Sequence, residues 1–388
     1  MSIGGFFGIL SFIEMAFVKV QVKEDPEPEI RTRSGYIPSD CLKAFMAALS
    51  SSGAVNVGKA LHFSTDLVCS GGYDVWIHTL WAYAIEHIGI GSPRIFVYLK
   101  KRIGELDALV SRLDEDTLWK TDEFQTRVCE LIFVLKECPM RTRTPWPKVG
   151  PETHRDGWLQ AVQSHATETE VVRKVFKSSS DLYPLHIVAC ELLKACSESA
   201  TEKALFWIRW VLDEDQRLRK LNKGAGLTTM DRGPAHLPSR QRSEVGFFIL
   251  QLLVEAYKEY AAKQMIRMTE EFQALLELYS GKEKRIGSKG RRDILALMVQ
   301  ILCEVPRWKV PAAPSLIKDP STLSRAIQQS PNFFKEVLAY PKVVLKGSKS
   351  LFTSGKQSAS QKEKAKQGLT METKFSALEA AMEAYLNK

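Results

Sequence analysis

The sequence predicts a mostly α-helical protein made of two tandem helical modules of similar topology, with a short N-terminal extended segment and a tethered C-terminal amphipathic helix. Three observations carry this reading. Apolar residues recur at helical spacing from Ser39 onward. Gly and Pro clusters punctuate those periodic stretches at their ends. The chain also repeats itself. Cys41-Leu42-Lys43-Ala44-Phe45 leading into Lys59-Ala60-Leu61-His62-Phe63 is similar to Cys190-Glu191-Leu192-Leu193-Lys194 leading into Lys203-Ala204-Leu205-Phe206-Trp207. The copies end alike, at Leu135-Lys136-Glu137-Cys138-Pro139 and Leu302-Cys303-Glu304-Val305-Pro306. The second copy is longer by about the Gly/Pro/Ser-rich stretch 224–241.

Residues 1–38 form an apolar N-terminus and an extended linker, with Val18, Val20 and Val22 alternating before Pro26 and Pro28. The apolar run 3–13 is too short to span a bilayer, which takes about 20 residues. It also lacks the basic start of a secretory signal. An N-terminal extension ahead of Met15, a peripheral anchor or a segment docked on a partner all fit it. Module 1 covers 39–150. Leu42, Phe45, Met46 and Leu49 share one face, Ser39 or Asp40 supplies a cap, and helices follow at 60–69, 75–87, 93–103 and 124–136. A polar connector takes 151–183. Module 2 covers 184–341, with helices at 184–195, 201–221, 245–260, 270–279, 293–305 and 321–338. A Lys/Ser/Gly-rich linker at 342–370 has no core-forming pattern. The stretch 371–388 then spaces Phe375, Leu378, Met382 and Tyr385 as one helical face, suited to a partner's groove or to folding back on its own body.

With 388 residues, 45% hydrophobic and 26% charged, the chain has the composition of an ordinary globular protein. The net charge of +9 is concentrated: 342–368 holds seven lysines and one glutamate, a net +6. The body is only mildly basic. Seven cysteines without CxxC spacing read as reduced, buried thiols.

Within module 1, Ala60-Leu61, Leu67, Gly71-Gly72, Asp74, Leu80, Ala84, Glu86, Ile88-Gly89-Ile90 and Pro93 resemble the C-terminal helical oligomerisation domain of RarA/MgsA-type AAA+ ATPases, relatives of clamp loaders. The likeness runs through residues 55–100. In module 2 it is confined to Ala204-Leu205-Phe206-Trp207, Leu212 and Glu255. The resemblance implies an assembly domain that works near replication forks. The family's motor is missing, since no G-x-x-x-x-G-K-[ST] loop occurs, and Gly58-Lys59 lacks its glycine and hydroxyl partners.

No residue pattern asks for catalysis. The seven histidines make no metal-binding pair, no serine sits in a G-x-S-x-G elbow, and neither cofactor nor metal is expected. The His154–Asp156 stretch reads as a connector, and the runs Asp114-Glu115-Asp116 and Asp213-Glu214-Asp215 as caps and solvated faces. Cations mixed with aromatics and glycines are the better candidates for function. Lys282, Lys284, Arg285, Lys289, Arg291 and Arg292 read as a glycine-interleaved loop before the helix at 293. Arg141, Arg143, Trp146 and Lys148 close module 1, as Arg307, Trp308 and Lys309 close module 2. Such residues can neutralise phosphates and stack on unpaired bases.

The expected function is a non-catalytic scaffold in DNA replication or repair that binds nucleic acid and protein partners. The alternative is a structural assembly protein, such as an inner component of a large DNA virus particle.

Overall fold

The computed structural model describes residues 31–155, 157–162, 167–263, 269–281, 285–304, 316–317 and 320–341. Among them the chain is mostly helical, without strands, and no helix is long and apolar enough to cross a membrane. The first helices are α1 (Pro38–Ser50), α2 (Ala54–Cys69), α3 (Tyr73–Tyr83), α4 (Arg94–Arg112), α5 (Glu115–Leu118) and α6 (Asp122–Glu137). Then come α7 (Trp158–Val162), α8 (Glu170–Val175), α9 (Tyr183–Ser197), α10 (Thr201–Leu221), α11 (Ser239–Arg242) and α12 (Val245–Lys263). The last are α13 (Glu270–Tyr279), α14 (Ser288–Glu304), α15 (Pro320–Gln328) and α16 (Ser330–Leu338). The helix pairs that open the two sequence copies, α1 with α2 and α9 with α10, each pack together.

Local chemistry sets the ends. Helix α1 begins at Pro38, whose fixed φ suits the first helical position; Ile37 is its cap residue, so neither Ser39 nor Asp40 caps it. Helix α2 stops in a Schellman turn. Gly71 takes φ 78°, its N–H reaches the Val68 carbonyl at 3.2 Å, and the Gly72 N–H reaches that of Leu67 at 2.8 Å. After α3 the chain runs through a π-helical turn, Ala84–Ile88, and a 3₁₀ turn, Gly89–Gly91.

Two helices serve as buried axes. Every residue of α14 from Asp293 to Cys303 is buried, which a helix permits only when it is covered all round. It packs on α9, α10, α12 and α13 and also on the Ala84–Gly91 turns, so it belongs to both halves of the chain. Helix α2 is buried in the same way from Ala60 to Cys69. Its cover is α1, α3, α6 and α16.

That last contact cuts across the division at 184. Helices α15 and α16, read in the sequence as the end of module 2, pack on α6 and α2 of module 1. Phe334 and Val337 of α16 are fully buried there, with the Phe334 ring 6.2 Å from that of Phe124. One continuous apolar core consequently runs from Tyr36 to Val337.

Under α16 lies a polar pocket of α2. His62 is 3% exposed; its Nε2 is 3.3 Å from the Tyr36 hydroxyl and its Nδ1 3.8 Å from a Glu336 carboxylate oxygen. Asp66 accepts the Ser34 N–H at 2.9 Å and the Cys41 thiol at 3.6 Å. Burial lowers the His62 pKa below 6.5, with Glu336 and Asp66 opposing it. The unfolded chain therefore takes up this proton more readily, and His62 contributes stability above about pH 6.5 that is lost as pH falls below it. His62→Gln is expected to flatten the fall in urea-unfolding midpoint between pH 7.5 and 5. An unchanged profile contradicts that assignment.

Candidate functional site

The cations that the sequence offers to phosphates converge on the seam where α14 and α13 meet the first half of the chain, but they meet carboxylates there. Residues 138–150 form a strap without regular structure. The strap crosses the Ala84–Gly91 turns, and the N–H groups of Arg141 and Arg143 donate to the carbonyls of Ile88 and Glu86 at 3.2 and 3.1 Å. A Cβ at Gly91 would stand 2.6–2.8 Å from the strap backbone, so only glycine permits this approach. Gly89, at φ 49°, ends the π turn in a conformation that side chains disfavour. The Ile-Gly-Ile feature that carries the family resemblance thus has a local reason in this chain.

From the strap, Arg141 forms a two-pronged pair with Glu304 at 2.7 and 2.8 Å. Arg143, with an 11% exposed side chain, lies 3.4 Å from Asp293. The Trp146 indole N–H donates to Asp293 at 2.7 Å, and its ring lies between the Arg143 and Arg292 guanidiniums, 5.6 and 5.7 Å from the centroid. Thr144 accepts from the Gln300 amide at 2.6 Å. The strap is therefore held by the two polar side chains, Asp293 and Gln300, that interrupt the apolar run of α14.

A second row of pairs joins α4 to α13 and the turn after it. Arg285 pairs through both nitrogens with Asp107, at 2.9 and 2.7 Å, and lies near Asp74 and over the Tyr73 ring. His78 hydrogen-bonds the Arg285 carbonyl. Lys100 meets Glu277, and Arg94 lies 3.6 Å from Glu271. Burial and the Asp107 carboxylate together push the Tyr73 phenol well above its ordinary value. Each arginine so paired has its donors directed at a fixed anion, which leaves little for a phosphate to gain.

The remaining candidates divide. Lys148 is exposed, and Lys289 is 71% exposed with Glu86 at 3.7 Å. Lys282, Lys284, Arg307, Trp308, Lys309, Phe375, Leu378, Met382 and Tyr385 lie outside the described residues. The basic loop itself needs correction: α14 starts at Ser288, so Lys289, Arg291 and Arg292 are helical. Gly290 provides close packing against Ile286, 2.9 Å from where a Cβ would sit, rather than an open backbone for phosphates.

Sequence reasoning also missed a polar cluster in the second half. His154 stacks on Trp210 and hydrogen-bonds Glu214 at 2.7 Å, and Arg217 grips the same carboxylate. Burial would raise the Glu214 carboxyl, but the Arg217 and His154 hydrogen bonds outweigh it and hold it below its usual range. Asp215 accepts from the Leu227 N–H and from Arg219. The run Asp213-Glu214-Asp215 is thus partly internal rather than a solvated face. No spacing rule connects His154 to a carboxylate that far along the chain.

An open groove of about 440 Å³ lies between α12, α13 and the 230–234 loop, lined by Met230, Phe247, Leu250, Val254 and Leu276. Its polar members are engaged: Arg232 with Asp181 and Gln251, and Glu255 with Lys174 and Lys258. Among the described residues no group of three His, Cys, Asp or Glu side chains is placed to hold a metal ion. No known family, curated protein or solved structure matches this chain.

Proposed function

We propose that this chain is a non-catalytic helical scaffold: a single rigid body that holds protein partners, with nucleic-acid contacts made through the lysine-rich stretch 342–368. The observation that supports the body half is the seam, in which Arg141, Arg143 and Arg285 pair with Glu304, Asp293 and Asp107 across the two halves of the chain. Cations in that arrangement fix one shape. The stretch 342–368, at net +6, carries most of the protein's excess charge in a sequence with no core-forming pattern. The apolar spacing of Phe375, Leu378, Met382 and Tyr385 offers a protein contact beyond it.

The replication or repair setting rests on the likeness in residues 55–100. The assembly reading, an inner component of a large particle, is favoured by the neutralised seam, because a body whose arginines are paired has little to offer DNA. Binding of single- and double-stranded DNA across a salt series separates them. The full chain is expected to bind with a steep salt slope, roughly −0.7 per phosphate neutralised on single strands. A protein ending at Tyr340 is expected to lose that binding. Retention of the slope in the shortened protein contradicts the seam assignment. No binding by the full chain overturns the nucleic-acid half and leaves the assembly reading.

A further inference from the structure

The seven cysteines are all buried and free, yet two of them are not like the rest. Cys196 is the next-to-last residue of α9 and Cys303 the next-to-last of α14, and these helices pack together. Their thiols hydrogen-bond to each other, and the Thr201 hydroxyl in the first turn of α10 also reaches Cys303. The pair is shallow for a buried one. Cys196 and Cys303 are 8% and 1% exposed, while Ser197 and Glu198, which follow Cys196, are both exposed. Glu304, next to Cys303, holds Arg141 of the strap. A bond between the sulfurs would therefore tie α9 to α14 at the end of the seam.

We propose that Cys196 and Cys303 form a redox-responsive pair that closes to a disulfide in the presence of a peroxide. The acidities of the two thiols support it. The hydrogen bond from Cys196 holds the Cys303 thiol below its ordinary value against burial, and the same contact with burial pushes Cys196 well above. Burial raises Cys41, Cys69, Cys129, Cys138 and Cys190. Cys303 is accordingly the nucleophile and Cys196 the resolving thiol. The Cys303 thiolate attacks one peroxide oxygen, the O–O bond breaks, and the released hydroxide takes a proton to become water. The Cys303 sulfenic acid that results is attacked by the Cys196 sulfur; the S–S bond forms, the S–O bond breaks, and a second water leaves with the Cys196 proton. Two thiols give up two electrons and two protons, and one peroxide becomes two waters.

The test uses the full chain, reduced, freed of reductant and treated with a few equivalents of hydrogen peroxide. The remaining thiols are then alkylated under denaturing conditions and the protein is mapped by non-reducing peptide mass spectrometry. The expected product is one cross-linked peptide joining Cys196 to Cys303, with the other five cysteines alkylated. Its formation is expected to raise the thermal midpoint by about 3–8 °C, reversibly with dithiothreitol. Cys196→Ala is expected to abolish the link and leave Cys303 as a sulfenic acid trapped by dimedone. The proposal is overturned if both cysteines of the unaltered chain are alkylated as fully as Cys129, or if Cys303 is tagged by dimedone there without a link. Those results come from the native sequence and do not depend on whether the alanine variant folds.

Discussion

Asp181→Ala is expected to destabilise the folded chain by about 3–5 kcal/mol in urea unfolding, because it leaves a buried guanidinium without its anion. The Asp181 side chain is fully buried and that of Arg232 is 2% exposed. One carboxylate accepts two Arg232 nitrogens, the Lys177 N–H at 2.8 Å and the Met230 N–H at 2.9 Å. It thereby fixes the turn before α9 to the 228–232 loop. Burial alone would raise this carboxyl, yet the Arg232 and backbone hydrogen bonds outweigh it and hold its pKa below 3.8. The stability it contributes is therefore present above about pH 4 and lost on acidification through its folded pKa. Asp181→Asn, which keeps the shape and some acceptors, is expected to cost less. A loss under about 1 kcal/mol for the alanine variant would show that the pair contributes as an exposed pair does.

Asp293→Ala is expected to cost about 3 kcal/mol, and Arg141→Ala less than about 1 kcal/mol. The contrast follows from burial. Asp293 is 4% exposed and receives both the Trp146 indole and the Arg143 guanidinium, so its loss strands two donors in the seam. The two-pronged Arg141–Glu304 pair has better geometry, but the Arg141 side chain is 55% exposed and water replaces its partner readily. Urea midpoints for the two variants at constant m-value decide it. The reverse order contradicts the placement of Asp293 at the centre of the strap contact.

Periodicity located the helices well where the chain meets neighbours of its own kind. Thr201–Leu221 and Glu270–Tyr279 form with the bounds the sequence suggests, and Gly71 and Gly89 end helices through positive φ. Helix α14 was cut short at its start. Lys289, Arg291 and Arg292 look like a loop until Gly290 is seen to pack on Ile286. The site was less legible, because charge in a sequence has no partner until the fold supplies one. Arg285 and Asp107 are 178 positions apart, as are the Arg285 carbonyl and His78 by 207. Nothing local distinguishes an arginine that will meet a carboxylate from one that will meet a phosphate. Asp293 read as the start of a helix because its two donors come from a strap far upstream. The packing of α16 on α2 was hidden for the same reason: the apolar face of Phe334 and Val337 is visible in sequence, but its destination is not.

The claim that the seam makes one body of the two halves is most directly tested by calorimetry of the full chain. The account expects one cooperative unfolding transition, with calorimetric and van't Hoff enthalpies equal, that moves down as a whole in Asp293→Ala. Two separable transitions, with only one of them shifted by that substitution, would mean that the modules fold independently and that the seam is a surface contact.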